Sequence, residues 1–150
     1  MKDKSIKESY TLVLNSTNAT NRTGTAPNFT YLVNWETILE KQCSYSISFS
    51  FHSTVVASAF TELYTLSINF GSSNVYSQSA SPFNQLGFLH PYMTSATSYY
   101  AVANCNDNPD IVISYPSNRI ISVVITNADL TSNTNNLTNY ILQIQFTPLD

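Results

Sequence analysis

Residues 44–51 read Ser-Tyr-Ser-Ile-Ser-Phe-Ser-Phe, a strict alternation of serine with large apolar side chains. Successive side chains of a β-strand point to opposite faces, so this segment predicts a strand with one face in a core and the other toward solvent or a neighbour. The same period of two recurs at residues 29–35, 64–70 and 142–146. Alternation is therefore the dominant pattern of the chain, and it predicts an all-β protein.

Less regular apolar segments predict the remaining strands. These segments are residues 10–14, 98–103, 111–115 and 120–126, with short pieces expected at 75–77 and 86–89. Residues 120–125 are apolar at nearly every position, which is typical of a strand buried in the middle of a sandwich.

The other segments predict a short helix and polar loops. Trp35, Ile38 and Leu39 share one face at helical spacing, so a helix is predicted over residues 35–41. Residues 16–27 and 128–139 are rich in Asn and Thr and are predicted to be loops.

About eight short strands with no long helix between them predict two packed antiparallel sheets or a closed barrel. Uneven loops and a short helix after the second strand favour a jelly-roll sandwich over an up-and-down barrel. An immunoglobulin-like sandwich is disfavoured because Trp35 precedes both cysteines. Since no linker or break in composition interrupts the chain, we expect one domain over residues 8–150, preceded by a flexible arm over residues 1–7.

Charged side chains are scarce and unevenly placed. Asp, Glu, Lys and Arg make up 10% of the 150 residues, against about 25% in a typical soluble domain. Residues 63–106 contain no formal charge apart from what His90 carries. This segment predicts a surface that contacts other molecules, although a neutral surface in a chain that favours Asn and Ser is an alternative. The net charge of −3 argues against nucleic acid as a partner.

The amino terminus carries Lys2, Lys4 and Lys7 beside Asp3 and Glu8. Mixed charges of this kind are typical of a solvated tail, and the alternative is an arm that reaches a neighbouring subunit or a membrane surface.

No apolar run is long enough to span a membrane as a helix, and residues 1–20 lack the apolar centre of a signal peptide. We therefore expect synthesis in the cytoplasm. In that compartment Cys43 and Cys105 are predicted to be free thiols rather than a disulfide.

Groups suited to catalysis are few. His52 lies at the end of the serine-rich strand, and His90 precedes Pro91 in a predicted loop. Glu36 and Glu40 are spaced to share one side of a helical turn, which is more typical of a solvated face than of a pair of catalytic carboxylates. The sequence thus predicts a protein that is not an enzyme, with no catalytic or cofactor-binding residues.

Two further clusters are candidates for ligand binding. Residues 104–110 crowd Asn and Asp oxygens into one segment, as a Ca²⁺ site would, but lack the Gly and the distant Glu of an EF-hand. A turn rich in Asn and Asp is the preferred interpretation, so no metal is predicted. Tyr92, Tyr99 and Tyr100 would suit a sugar-stacking platform or an interface anchor, yet Tyr99 and Tyr100 must point to opposite faces of a strand.

Five short segments, in order along most of the chain, resemble one known family. They are residues 34–39 (Asn-Trp-Glu-Thr-Ile-Leu), 45–51 (Tyr-Ser-Ile-Ser-Phe-Ser-Phe), 68–73 (Ile-Asn-Phe-Gly-Ser-Ser), 86–89 (Leu-Gly-Phe-Leu) and 115–118 (Tyr-Pro-Ser-Asn) leading into 120–127. The chain in these segments is similar to the small single jelly-roll capsid proteins of large double-stranded DNA viruses and their polinton-like and virophage relatives.

The resemblance implies a structural role in the virion, as a minor capsid or vertex subunit. Such a subunit would contact a major capsid protein and itself, and we expect a homo-oligomer, a trimer or a pentamer. The resemblance implies no catalytic residues in this chain. The main alternative is a jelly-roll binding module, a fibre head or lectin-like domain that recognises a glycan or receptor through Tyr and Asn side chains in loops.

Overall fold

The computed structural model describes residues 8–25, 28–53, 64–68, 84–95, 98–103, 111–116, 118–127 and 139–149. In these ranges the chain forms one 3-10 turn, Trp35–Thr37, and ten strands. The strands are β1 (Tyr10–Asn15), β2 (Arg22–Thr25), β3 (Asn28–Leu32), β4 (Tyr45–Ser53), β5 (Tyr64–Ile68), β6 (Asn84–Ser95), β7 (Ser98–Ala103), β8 (Ile111–Ile113), β9 (Ile120–Asn127) and β10 (Tyr140–Pro148).

The strands are all antiparallel and their order is that of a jelly roll. Hydrogen-bonded neighbours follow the path β1-β10-β4-β7-β6-β5-β9-β3-β2, with β8 also paired to β4. The first four strands of this path make a front sheet, and β6, β5, β9 and β3 make a back sheet that β2 extends. Two four-stranded sheets of this order are the jelly-roll sandwich that the sequence predicts.

Contacts between strands that are far apart in this path show that the sheets lie face to face. Phe29 of β3 packs on Tyr140 of β10 with ring centroids 6.3 Å apart. The Tyr31 hydroxyl donates a hydrogen bond of 2.9 Å to the Tyr140 hydroxyl. Because β3 and β10 belong to different sheets, these side chains cross the middle of the sandwich.

The twelve residues of β6 belong to both sheets. The first half pairs with β5, where Leu89 lies opposite Tyr64, and the second half pairs with β7, where Pro91 lies opposite Ala101. The prediction of a loop at His90 and Pro91 was therefore wrong. Proline lacks an N–H for a second neighbour and is tolerated where a strand is paired on one side, which is the situation of Pro91 among the described strands.

The described strands close the sandwich on the β6–β7 side and leave it unpaired on the other. Among the described residues, β1 pairs only with β10, and no backbone pairing joins β1 to β3 or β2. The two sheets meet on that side through side chains.

Alternation fills the core, as the sequence predicts. The pattern along β10 and β4 places every second side chain inside. Tyr45, Ile47, Phe49 and Phe51 point inward, while the serines between them face outward. Phe146 packs edge-on against Trp35, at 5.7 Å between centroids, and against Tyr45 at 6.3 Å.

Two tyrosines bring polar atoms into the core, and each finds a partner. Burial raises the pKa of Tyr140, and the bond from Tyr31 raises it further. Burial also raises the pKa of Tyr31, despite that same bond. Near Tyr140, the Ser16 hydroxyl accepts a bond of 2.7 Å from the Tyr140 N–H, and the Ser16 N–H donates to the Tyr140 carbonyl. Ser16 is buried, although the sequence pattern places it in a polar loop.

Two predicted elements were wrong in extent. The helix expected over residues 35–41 is only the turn Trp35–Thr37, after which the Leu39 N–H bonds the Trp35 carbonyl. So few residues cannot propagate a helix, because the first turn loses more conformational entropy than its single hydrogen bond offsets. The predicted loop over residues 16–27 contains β2, a polar strand that pairs with β3. Gly24, at φ 95°, adopts a backbone conformation that glycine favours.

Several predictions fall outside the described residues. These are the flexible arm at 1–7, the strand piece at 75–77, the loop at 128–138 and the cluster at 104–110. Cys43 carries a free thiol, as predicted for it, and the structure shows that it is buried. Cys105 is not described.

Removing the Phe146 ring tests the packing of the core. We expect Phe146→Ala to lower the free energy of unfolding by about 3–5 kcal/mol, because its ring is fully buried between Trp35 and Tyr45. Gln145→Ala, the neighbouring exposed position, should change it by less than about 0.5 kcal/mol. Urea unfolding followed by fluorescence measures both, and equal losses would contradict the sandwich.

Alkaline unfolding tests the buried tyrosine pair. The raised pKa of Tyr140 means that the unfolded chain loses this proton near pH 10 while the folded chain retains it. The stability that this group contributes is complete below pH 10 and is lost as the pH rises further. Tyr140→Phe should reduce this alkaline loss, and should cost about 1–3 kcal/mol at neutral pH because the Tyr31 hydroxyl loses its acceptor. An unchanged pH profile of urea midpoints would contradict the assignment.

Candidate interaction surfaces

The outer face of the front sheet is covered with hydroxyl and amide side chains. Because β4 and β10 lie side by side in register, Ser48 lies opposite Gln145 and Ser50 opposite Gln143. The Ser50 hydroxyl donates a bond of 3.2 Å to the Gln143 side-chain oxygen. These four residues, with Thr11 of β1, line a shallow depression of about 200 Å³. We call this surface the front face.

No described residue of the front face carries a formal charge. Its other outward positions on β1, β4, β8 and β10 are Val13, Asn15, Ser46, His52, Val112, Ile141 and Thr147. Val13 and Ile141 are 52% and 41% exposed. When a surface that has hydrogen-bond donors and acceptors but no charge binds a similar surface, the free-energy cost of desolvation is small, since no ion has to leave water.

The back sheet has an apolar patch on its outer face. Leu32 of β3 and Ile120 of β9 lie directly opposite one another and are 53% and 52% exposed. They border a hollow of about 370 Å³ whose other walls include Arg22, Thr23 and Thr30. We call this the Leu32–Ile120 patch. Large apolar side chains exposed as a pair are a common feature of surfaces that bind another protein.

The described ion pairs lie at one end of the sandwich, beside the 3-10 turn. Glu36, in the 3-10 turn, contacts the Lys41 ammonium at 3.3 Å and the Arg119 guanidinium at 3.6 Å. All three side chains are exposed, so these pairs contribute little to stability. Charge in the described part of the chain is thus kept largely at loop ends and strand edges.

The candidate catalytic residues do not converge. Glu36 is held by its two cations, while the Glu40 carboxylate accepts a bond of 3.5 Å from the Cys43 thiol. His52 is exposed at the end of β4, in a shallow hollow with Asn15, Ser53 and Ile141. Across the described ranges, no three His, Cys, Asp or Glu side chains are grouped as a metal site would require.

Of the ligand-binding candidates, the three tyrosines lie in described strands. Tyr92 lies in β6, and Tyr99 and Tyr100 lie in β7, where Tyr92 is directly opposite Tyr100. Their side chains are not described, nor is that of His90. The Asn- and Asp-rich segment 104–110 is also outside the described residues.

One charged residue has a structural role that its sequence context conceals. Arg22 of β2 places its guanidinium 4.2 Å from the centre of the Phe29 ring. This cation–π contact caps the edge of the core. The Leu32–Ile120 patch was also missed, because pairing across 88 residues of sequence leaves no local pattern.

Comparison with known proteins gave no match. No protein-family model, curated protein or solved structure is detectably similar to this chain. Within the described residues, no helix has the length and apolar character needed to cross a bilayer.

Proposed function

We propose that this protein is a non-enzymatic structural subunit of a virus particle. In this role it is a minor capsid or vertex protein of a large double-stranded DNA virus or a related element, and it packs against copies of itself and against a major capsid protein. The observation that carries the proposal is that the described part of the front sheet's outer face, in a jelly roll, lacks formal charge.

A subunit of a shell needs more than one contact surface. The front face offers hydroxyl and amide groups, and the Leu32–Ile120 patch offers apolar area on the opposite side. Two surfaces of different chemistry allow one copy to hold two different neighbours at once. A monovalent binding domain needs only one such surface, so this arrangement favours assembly.

The jelly roll also supports the proposal at the level of fold. It is used by viral capsid proteins and equally by lectins, so the fold alone does not separate the two functions. The described positions of the front face are mainly serine, threonine and glutamine, and none of them is Phe, Tyr or Trp. Sugar sites commonly stack a ring on the ligand, so the front face fits a protein neighbour better than a glycan.

The alternative function is a fibre head or lectin-like module. Its best candidates remain Tyr92 in β6 and Tyr99 and Tyr100 in β7. A glycan array probed with folded protein separates the functions: a specific glycan signal in a protein that stays monomeric would replace the assembly proposal with the binding one.

A charge placed on the front face tests assembly directly. We expect the parent chain to form a trimer or pentamer by light scattering, and Gln145→Lys to lower the oligomer fraction at least about tenfold. The reason is that a lysine buried between neutral surfaces has no partner and costs at least about 1.4 kcal/mol per contact.

Gln42→Lys is the matched control, because it adds the same charge in the exposed turn that follows Lys41, at the end that already holds ion pairs. It should assemble like the parent. If both variants assembled alike, or if purified particles contained no copy of this protein, the proposed function would be wrong.

A further inference from the structure

We propose that the free edge of β1 is a second, separate contact site, at which β1 of another copy of this chain adds as an antiparallel strand. This contact joins two front sheets into one continuous sheet across a twofold axis. It deepens the proposed function, on which it rests for its place in a particle, by naming a contact between subunits.

The direction of the β1 backbone groups follows from one hydrogen bond. The Ser16 N–H donates to the Tyr140 carbonyl at 3.0 Å, in register with the β1–β10 ladder. Hydrogen-bonded pairs alternate along an antiparallel ladder. Leu12 and Leu14 therefore bond β10, whereas the N–H and C=O groups of Thr11 and Val13 point away from it. No described strand receives them.

This edge lacks the features that normally prevent strand addition. Such features are charged side chains, proline, bulges and short length. The six residues of β1 contain no charge, proline or glycine, and their register with β10 is unbroken. Among the other described strands with a single partner, β2 is only four residues long and contains Arg22 and Gly24, and β8 is only three residues long. The contrast with these shorter edges points to β1 as the one built for pairing.

An open groove of about 280 Å³ runs beside Leu12, Val13 and Leu14. Residues 31–34 border its far side, and Asn18, Thr20 and Asn21 also line it. Paired strands need about 4.8 Å between their axes. None of the described residues that line this groove is charged, so an uncharged strand enters it without burying an unpaired ion from them.

A second copy of β1 fits the edge because the strand is complementary to itself. In an antiparallel pair about a twofold axis at Leu12, Thr11 of one copy faces Val13 of the other, and Tyr10 faces Leu14. Outward residues thus meet outward residues and inward residues meet inward ones, as the period of two requires. The pairing places no like charges opposite each other, and it covers Val13, which is 52% exposed.

The size of the contact sets its strength. Two paired strands of six residues bury less than the roughly 1,000 Å² of a stable interface. The contact is therefore weak in solution, and the free protein should pair by this edge only at concentrations on the order of 0.1–1 mM. Since the contact is twofold, it links two subunits or two rings and does not close a ring of three or five.

Amide exchange of the full chain, measured by NMR at about 10 μM and about 1 mM, tests the inference. At low concentration, the Thr11 and Val13 amides should exchange quickly while those of Leu12 and Leu14 are slow. At high concentration, about half to four-fifths of the chains should be paired, so Thr11 and Val13 should become protected about two- to fivefold. A contact through the front face would leave these two amides unchanged, because it covers side chains rather than the strand edge.

Two variants at one position separate the backbone edge from the side chain. Val13→Pro removes the outward N–H without removing a bond to β10, and proline is tolerated on a solvent-facing edge. It should remain folded by circular dichroism and show no protection of Thr11 at about 1 mM. Val13→Thr keeps the N–H and a branched side chain. In this variant the Thr11 amide should be protected from exchange as in the parent.

The outcomes distinguish this inference from the proposed function. Gln145→Lys, which disrupts the front face, should leave the concentration-dependent protection of Thr11 and Val13 intact. If those amides stay unprotected in the parent chain at high concentration, or are protected only when another virion protein is added, pairing between copies of β1 is wrong. That result alone leaves front-face assembly standing.

Discussion

Tyr140 is the side chain on which the sandwich depends most. Its ring stacks on Phe51 within the front sheet, at 5.2 Å between centroids, and contacts Phe29 of the back sheet. Its hydroxyl accepts a hydrogen bond from the Tyr31 hydroxyl. Its backbone N–H donates to the Ser16 hydroxyl, and its carbonyl accepts from the Ser16 N–H. On the β1 side, where none of the described strands forms a backbone ladder between the sheets, these contacts fix the distance and register between them.

The class of fold could be read from the sequence because the core is built on alternation. In β4 and β10 the inward residues are large and the outward ones are polar, so period two identifies strand and face together. The short strands were harder to predict from the sequence. β2 is polar throughout and is a strand because β3 offers it an edge, a condition that depends on tertiary structure. The partner exchange within β6 likewise depends on β7, so His90 and Pro91 looked like a loop.

The candidate surfaces were only partly predictable, for a related reason. Scarcity of charge is a property of composition, and it indicates that contact surfaces exist without locating them. The charge-free run at residues 63–106 lies largely where side chains are not described, whereas the uncharged front face is built from β1, β4 and β10, outside that run. Register brought Ser48 beside Gln145 and Leu32 beside Ile120 across long stretches of chain, and register is set by the packed core.

The two sides of the sandwich have different mechanical properties because β6 runs through both sheets. On that side the sheets share a continuous strand, so separating them requires breaking covalent connection and backbone ladders together. On the β1 side they are held by rings and one hydroxyl pair. A force that pushes the two sheets apart should therefore separate them first on the β1 side, with β6 acting as the hinge. A shell made of such subunits would yield elastically along one defined direction in each copy.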